Sequence, residues 1–239
     1  MEITSLNNDR VKYWVKLQDK KFRDQEGLFI VEGDHLVNEA IRCGLAKEII
    51  SLDDFSNVIP TYKITEEIMK KISNQKSISR ICAVCFKIKE KAMGNKVICL
   101  DNIQDPGNLG TIIRSAVAFN IDTIILNDKS VDLYNDKVIR SSEGMIFNIN
   151  VIRCNLENKL NDLKNEGFKI IGTSVKNNNL LKNVEVKEKY AIVLGNEGNG
   201  ISKEIEDLCD DFIYIKMNES CESLNVAVAS SIIMYELNR

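Results

Sequence analysis

Among its 239 residues the chain has one histidine, His35. A Ser/His or Cys/His catalytic pair would depend on that single imidazole in a Gly-flanked N-terminal stretch, so His35 reads as a solvent-facing structural residue. No apolar run reaches the roughly 18 residues of a membrane helix, because Lys or Asp interrupts each one. The start, Met1-Glu2-Ile3-Thr4-Ser5, shows neither the basic residues nor the apolar stretch of a signal peptide. The 7 cysteines (43, 82, 85, 99, 154, 209 and 221) are odd in number, and several sit in apolar strand-like runs. They read as reduced, buried thiols of a cytoplasmic protein. Cys82-Ala83-Val84-Cys85 has CxxC spacing but no second pair, so no metal is expected. The run from Gly195 to Ser202 is also incomplete in two ways. Ile201 stands where a phosphate-binding loop needs its lysine, and Lys203 stands at the third glycine of a dinucleotide fingerprint. A nucleoside triphosphatase and a nucleotide-dependent oxidoreductase are both disfavoured.

What remains is an ordinary globular composition, 44% hydrophobic and 28% charged, which suits one large or two modest soluble domains. The net charge of −3 argues against a generic polyanion binder but conceals an asymmetry. Residues 1–95 carry 16 Lys/Arg against 14 Asp/Glu, and residues 96–239 carry 16 against 21. Arg10, Lys12, Lys16, Lys20, Lys21 and Arg23 cluster with only Asp19 opposed. If a nucleic acid binds, the N-terminal part is the better place for it.

Periodicity predicts a helix from Asn8 to Lys20 carrying a lysine stripe at 12, 16 and 20. A strand over 27–33 follows, then a helix capped by Asp34 and stopped by Gly44. A strand over 48–52, a helix capped by Thr65 and running to Ile72, and a strand over 81–86 complete a small α/β domain, 1–86. The charged stretch 87–95 reads as a linker. In 96–239 the pattern alternates again, with strands over 97–101, 123–126, 149–152, 168–172, 190–194 and 212–216. Helices are expected over 109–119, 135–143, 156–166 and 223–237. This is an α/β domain on a mainly parallel sheet, with ligands expected at the strand carboxyl ends.

Three segments follow strand ends. Asp105-Pro106-Gly107-Asn108 makes a turn in which Asn108 can cap the next helix, and Arg114 lies along that helix's otherwise apolar sequence. Such an arginine either pairs with a buried carboxylate or lines a site. Leu194-Gly195-Asn196-Glu197-Gly198-Asn199-Gly200-Ile201-Ser202 reads either as a strand-to-helix turn or as a ligand loop. Ile215-Lys216-Met217, then Ser223-Leu224-Asn225-Val226, opens a helix that is apolar on nearly every face. Ser223 and Asn225 can cap that helix or point at a ligand held at its N-terminus.

In this order the three segments resemble the motifs of the SpoU (TrmH-like) family of RNA ribose 2′-O-methyltransferases, in the SPOUT superfamily. Ser5, Asn8, Val11-Lys12, Leu17, Lys20-Lys21, Arg23, Phe29-Ile30-Val31-Glu32-Gly33 and Glu39-Ala40 are similar to the RNA-substrate-binding domain that often precedes the catalytic one. The resemblance implies a C-terminal SPOUT α/β fold with a trefoil knot. It implies S-adenosyl-L-methionine held by Thr173, Leu194, Gly195, Asn196, Gly198, Ile215, Met217 and Leu224. It further implies a catalytic set of Asn108, Arg114, Glu197, Ser223 and Asn225, with no metal. RNA contacts are expected at Lys12, Lys16, Lys20, Lys21, Arg23 and Arg140. The expected substrate is 23S-type ribosomal RNA, and the expected assembly a cytoplasmic homodimer through the terminal helix. A transfer-RNA 2′-O-methyltransferase and a non-catalytic RNA-binding protein of SPOUT ancestry are the alternatives. A guanidinium stays charged at neutral pH and accepts protons poorly, so Arg114 is expected to orient the 2′-hydroxyl and stabilise charge on it. Ser142-Glu143 before Gly144, and Asn148-Ile149-Asn150 in place of a proline-bearing stretch, depart from the family pattern and bear on the substrate.

Overall fold

The structure, a computed structural model, describes residues 1–55, 58–74, 77–175, 179–186 and 188–238. The chain divides into two compact units, Met1–Lys89 with Tyr134–Phe147, and Glu90–Leu133 with the residues from Asn148 onward. A division drawn along the chain at 87–95 leaves Tyr134–Phe147 in the second part, whereas by packing it belongs to the first. The cause is aromatic: the Tyr134 ring lies 4.7 Å and the Phe147 ring 6.3 Å from that of Phe29.

In the first unit the order is β1 (Glu2–Ile3), α1 (Asp9–Lys16), α2 (Lys20–Glu26), β2 (Leu28–Glu32), α3 (Asp34–Arg42) and β3 (Ala46–Ser51). Then come β4 (Thr61–Ile64), α4 (Glu66–Ile72) and β5 (Ile81–Phe86). The sheet order is β1-β4-β3-β5-β2, with β5 antiparallel to both its neighbours. The single helix expected from Asn8 to Lys20 is two helices. Asn8 caps the first, accepting from Arg10 N, and Asp19 caps the second, accepting from Phe22 N at 3.0 Å. The lysine stripe is thereby split between them. Gly33, at φ 97, is the N-cap of α3, so Asp34 is its first residue rather than its cap. Strands β1 and β4, with two and four residues, are too short to show a period-two signal in the sequence. Val11, Trp14, Leu17, Ile68, Met69 and Ile72 bury one core, and Trp14 meets Tyr62 edge-on at 5.5 Å.

The second unit runs β6 (Lys96–Leu100), α5 (Pro106–Ala118) and β7 (Thr123–Asn127). After α6 (Asp136–Ser141), which packs with the first unit, it resumes with β8 (Asn150–Cys154), α7 (Leu156–Asn165), β9 (Lys169–Thr173) and β10 (Asn179–Leu180). It ends with β11 (Tyr190–Leu194), α8 (Lys203–Glu206), β12 (Asp211–Tyr214) and α9 (Val226–Leu237). The sheet order is β10-β12-β9-β11-β6-β7-β8, and every pairing is parallel. Val97, Cys99, Ile125, Ala191 and Val193 pack one face against Leu156, Leu160, Leu163 and Ile205. Their alternating neighbours Ile98, Ile124 and Ile192 are equally buried, which explains why these strands read as continuous apolar runs. Helices α5 and α9 pack on each other, with Ser115 Oγ 2.7 Å from Ser231 Oγ and the Phe119 ring edge-on to that of Tyr235. From β6 the chain steps outward to β7 and β8, then returns to the other side through β9. Strands β6 and β11 thus flank the point where the strand order reverses, where open α/β sheets bind ligands.

Trp14 is the chain's single tryptophan and is fully buried. Ile68→Ala, beside it in the same core, is expected to cost about 2–5 kcal/mol, seen as an earlier red shift of tryptophan emission in urea.

Candidate functional site

Asp105, not Asn108, caps α5: its side chain accepts from Asn108 N at 2.9 Å, and Pro106 occupies the first turn. The Asn108 side chain is left for other work. Its Nδ2 donates to Glu197 Oε1 at 3.0 Å, and its Oδ1 accepts from Asn225 Nδ2 at 2.9 Å. Asn225 can do this because its own Oδ1 caps α9, accepting from Ala227 N and Val228 N, which fixes the orientation of the amide. The three expected segments, up to 117 residues apart in sequence, therefore meet in one chain of hydrogen bonds, Asn225–Asn108–Glu197.

Glu197 also accepts from the backbone N–H of Gln104 at 3.3 Å and of Asp105 at 3.2 Å. Partial burial pushes its carboxyl pKa up, but the donors Asn108, its own N–H, Asp105 and Gln104 outweigh this and hold it below the usual carboxylate range. A carboxylate saturated in this way ties two loops together and is a weak proton acceptor.

The 195–202 loop doubles back on itself. Asn196 and Gly200 exchange backbone hydrogen bonds at 2.9 and 3.0 Å, and Asn196 Oδ1 accepts from Gly198 N and Asn199 N. A Cβ on Gly195 would lie 2.1–2.4 Å from backbone atoms of Gly200 and Ile201, so no side chain fits there. Gly195 is nonetheless buried with its own N–H and C=O unpaired among the described residues, an orphaned pair facing no protein partner. Leu194 is buried, and its carbonyl accepts from Asp101 N. Thr173 Oγ1 donates to Val193 O at 3.0 Å. Ile215, Met217 and Leu224 are each partly exposed.

Arg114 is exposed on α5 and makes no hydrogen bond or ion pair among the described residues, so it is not the buried partner of a carboxylate. Ser223 is also exposed and does not cap α9; its carbonyl accepts from Cys221 Sγ. The Arg114 and Ser223 side chains thus carry no hydrogen bond among the described residues, while Asn108, Asn225 and Glu197 are engaged with one another.

The expected RNA-contacting cations fare unequally. Lys12, Lys16, Lys20 and Lys21 are exposed, the first paired with Asp9 at 3.0 Å, the third with Asp24 at 2.6 Å, and Lys16 lying over the Phe22 ring. Arg140 pairs with Asp136 at 2.6 Å. Arg23 does not face solvent: it is 8% exposed and donates to the carbonyls of Leu17 and Gln18, closing the α1–α2 corner. Gln18 donates to the carbonyls of Lys71 and Ile72, which brings the last turn of α4, with Lys70 and Lys71, beside that corner. His35 is exposed, its Nε2 3.1 Å from Glu143 O. Glu143, at φ 48, and Gly144, at φ 75, make the turn in which the sequence departs from the family pattern. Asn150, in the other departure, is buried and holds Lys91 through both its backbone groups. Sequence reasoning missed Asp101, Asn102, Asn127, Ser130 and Arg153, which brace the strand ends under the site. Arg153 donates to the carbonyls of Asn127, Asp128, Ser130 and Val131.

Residues 95–235 match the model of the SpoU rRNA Methylase family, and residues 8–83 match the MRM3-like substrate binding domain. The chain is 38% identical to the 23S rRNA (guanosine(2553)-2'-O)-methyltransferase RlmP of Bacillus subtilis, over 99% of this chain and 98% of that protein. It superposes at a TM-score of 0.88 on a solved TrmH-family putative RNA methyltransferase from Porphyromonas gingivalis, with 28% identity and 98% of each chain covered. An AdoMet-bound rRNA methyltransferase from Sinorhizobium meliloti gives the same TM-score at 25% identity, covering 99% of this chain and 97% of that one.

Because its folded-state pKa is depressed, the Glu197 tie contributes stability above the ordinary glutamate pKa and loses it as pH falls through the depressed value. Glu197→Gln should therefore melt lower than the parent at neutral pH. The gap in Tm should close as pH is lowered through that acidic window.

Proposed function

This chain belongs to the SpoU rRNA methylase family, and on that premise we propose that it methylates the ribose 2′-hydroxyl of a guanosine in 23S ribosomal RNA, at the position corresponding to that named for the Bacillus subtilis relative. The observation that carries this reading is the Asn225–Asn108–Glu197 hydrogen-bond chain, which joins the three motifs, with Arg114 exposed on the same helix as Asn108 and without a side-chain partner among the described residues. RNA rather than DNA is the substrate because the nucleophile is the hydroxyl that DNA lacks.

The residues fit the cofactor of this family. Gly195 offers an unpaired backbone donor and acceptor, and Ile215, Met217 and Leu224 offer apolar surface for an adenosine. When bound, S-adenosylmethionine supplies a methyl carbon already activated by its sulfonium, so the reaction needs no metal ion. What remains for this chain is alignment and charge. The Arg114 guanidinium orients the ribose O2′ and stabilises the negative charge that grows on it as the hydroxyl proton passes to water. Asn108 and Asn225, locked by each other and by Glu197, hold the ribose edge in register, and Ser223 adds a free hydroxyl. Glu197 positions its neighbours and does not take the proton.

The RNA-facing surface of the first unit comprises Lys12, Lys16, Lys20 and Lys21 and extends to Lys70 and Lys71. The segment Tyr134–Phe147 places Arg140 in the same unit. Apolar Val228, Ile232 and Tyr235 are 48%, 38% and 53% exposed at i, i+4 and i+7 on α9, which supports a homodimer through that helix. The trefoil knot implied by the motifs and a cytoplasmic location, where ribosomal RNA resides, belong to the same proposal. No described helix is long and apolar enough to cross a membrane.

Mass spectrometry of nuclease-digested 23S transcripts, incubated with the protein and S-adenosylmethionine, should show 2′-O-methylguanosine; RNA binding without methylation overturns the reading. Arg114→Lys should lower kcat by about 10²–10³ while leaving cofactor affinity unchanged in calorimetry. Light scattering at micromolar concentration should give a dimer, and Ile232→Asp a monomer.

A further inference from the structure

Asp101 follows β6 directly and is 2% exposed. Its Oδ1 accepts from Asn127 Nδ2 at 2.9 Å and Asn102 Nδ2 at 3.1 Å, and its Oδ2 accepts from Ser202 N at 2.8 Å and Ser202 Oγ at 2.7 Å. No cation is among these partners. Burying a carboxylate without a counter-ion is costly, and four neutral donors aimed at its two oxygens are the arrangement that sustains it. Nothing in the proposed transfer uses this group, which lies beneath the site rather than in it.

The donors come from the turn after β6, the end of β7 and the N-cap of α8. Ser202 closes the 195–202 loop, Asn127 ends β7, and Asn102, at φ 60, starts the turn that leads to Asp105. The network then spreads: Asn127 Nδ2 donates to Asn102 Oδ1, Ser130 Oγ donates to Asn127 Oδ1, and Ile103 N donates to Ser130 Oγ. Asn102 O accepts from Asn196 Nδ2 at 2.8 Å, which returns to the loop. Holding Ser202 fixes the far end of a loop whose Gly200–Ile201 backbone must press against Gly195.

We propose that Asp101 is a positioning residue that closes the 195–202 loop through Ser202 and so presents the unpaired backbone of Gly195 to the cofactor. The inference rests on the reading of that loop as the S-adenosylmethionine site. Asp101 touches no reacting atom, and its effect is on cofactor affinity rather than on the transfer step. The two oxygens of one carboxylate must each face donors. An Asn at this position turns one donor toward another, and an Asp at position 127 restores the match once the Asn102 amide turns over, its Nδ2 then donating to residue 127 and its Oδ1 accepting from residue 101.

The test is steady-state kinetics and calorimetry with S-adenosylmethionine on the full chain. Asp101→Asn should raise KM and Kd for the cofactor about tenfold, and Ser202→Ala, which keeps the N–H, about threefold, with kcat at saturating cofactor held within about threefold. The exchange Asp101→Asn with Asn127→Asp should recover most of the lost affinity, which a merely structural loss would not. Should Asp101→Asn fail to fold, the Ser202→Ala shift in Kd decides alone. If the parent protein binds no S-adenosylmethionine, the cofactor reading itself falls. If the parent binds but Asp101→Asn and Ser202→Ala bind as tightly, or the exchange recovers nothing, the positioning role of Asp101 falls by itself.

Discussion

The backbone at Gly200–Ile201 approaches the end of β11 so closely that a Cβ at residue 195 would sit 2.1–2.4 Å from it. Most of the site depends on this contact. Doubling the chain back so tightly leaves Gly195 buried with its backbone groups unpaired among the described residues, while Asn196 and Gly200 satisfy each other. It also aims Glu197 across at the turn before α5 and delivers Ser202 to Asp101. A loop this short has little freedom left once its two ends are joined, so the groups that it leaves unpaired are held in place.

The polar residues at the strand ends divide into two kinds. Asp101, Asn102, Asn127, Asn196 and Glu197 have their hydrogen bonds made and act as framework. Arg114 and Ser223 are exposed, and their side chains are unengaged among the described residues. A methyl transfer from an activated donor requires little covalent chemistry of the protein, so a rigid frame and a few free groups suffice. The framework groups are mostly neutral amides and hydroxyls around two carboxylates.

Element types and order were legible in the sequence because the physics behind them is local. The buried parallel strands β6, β7, β9 and β11 read as apolar runs, and α3, α4, α5 and α7 as periodic stretches between caps. Errors arose where a local signal was outvoted by a neighbour. The helix at 8–20 is broken because Asp19 caps a second helix, and Asn108 lost the cap to Asp105, three residues before it. Arg23 looked like a surface cation and is buried, because its guanidinium finds the carbonyls of Leu17 and Gln18. The segment 134–147 joined the first unit through ring contacts with Phe29 that no local pattern announces.

By itself the sequence determined the class of sheet, the glycine-rich run after β11, and the three motifs whose residue types suit backbone-held cofactor and ribose recognition. Those features reside in residue identity and short-range spacing. Tertiary structure alone decided which polar side chains are framework and which are free. That division depends on hydrogen bonds between residues as far apart as Asp101 and Ser202, or Asn108 and Asn225, and such partners become neighbours only when the parallel sheet brings its strand ends together.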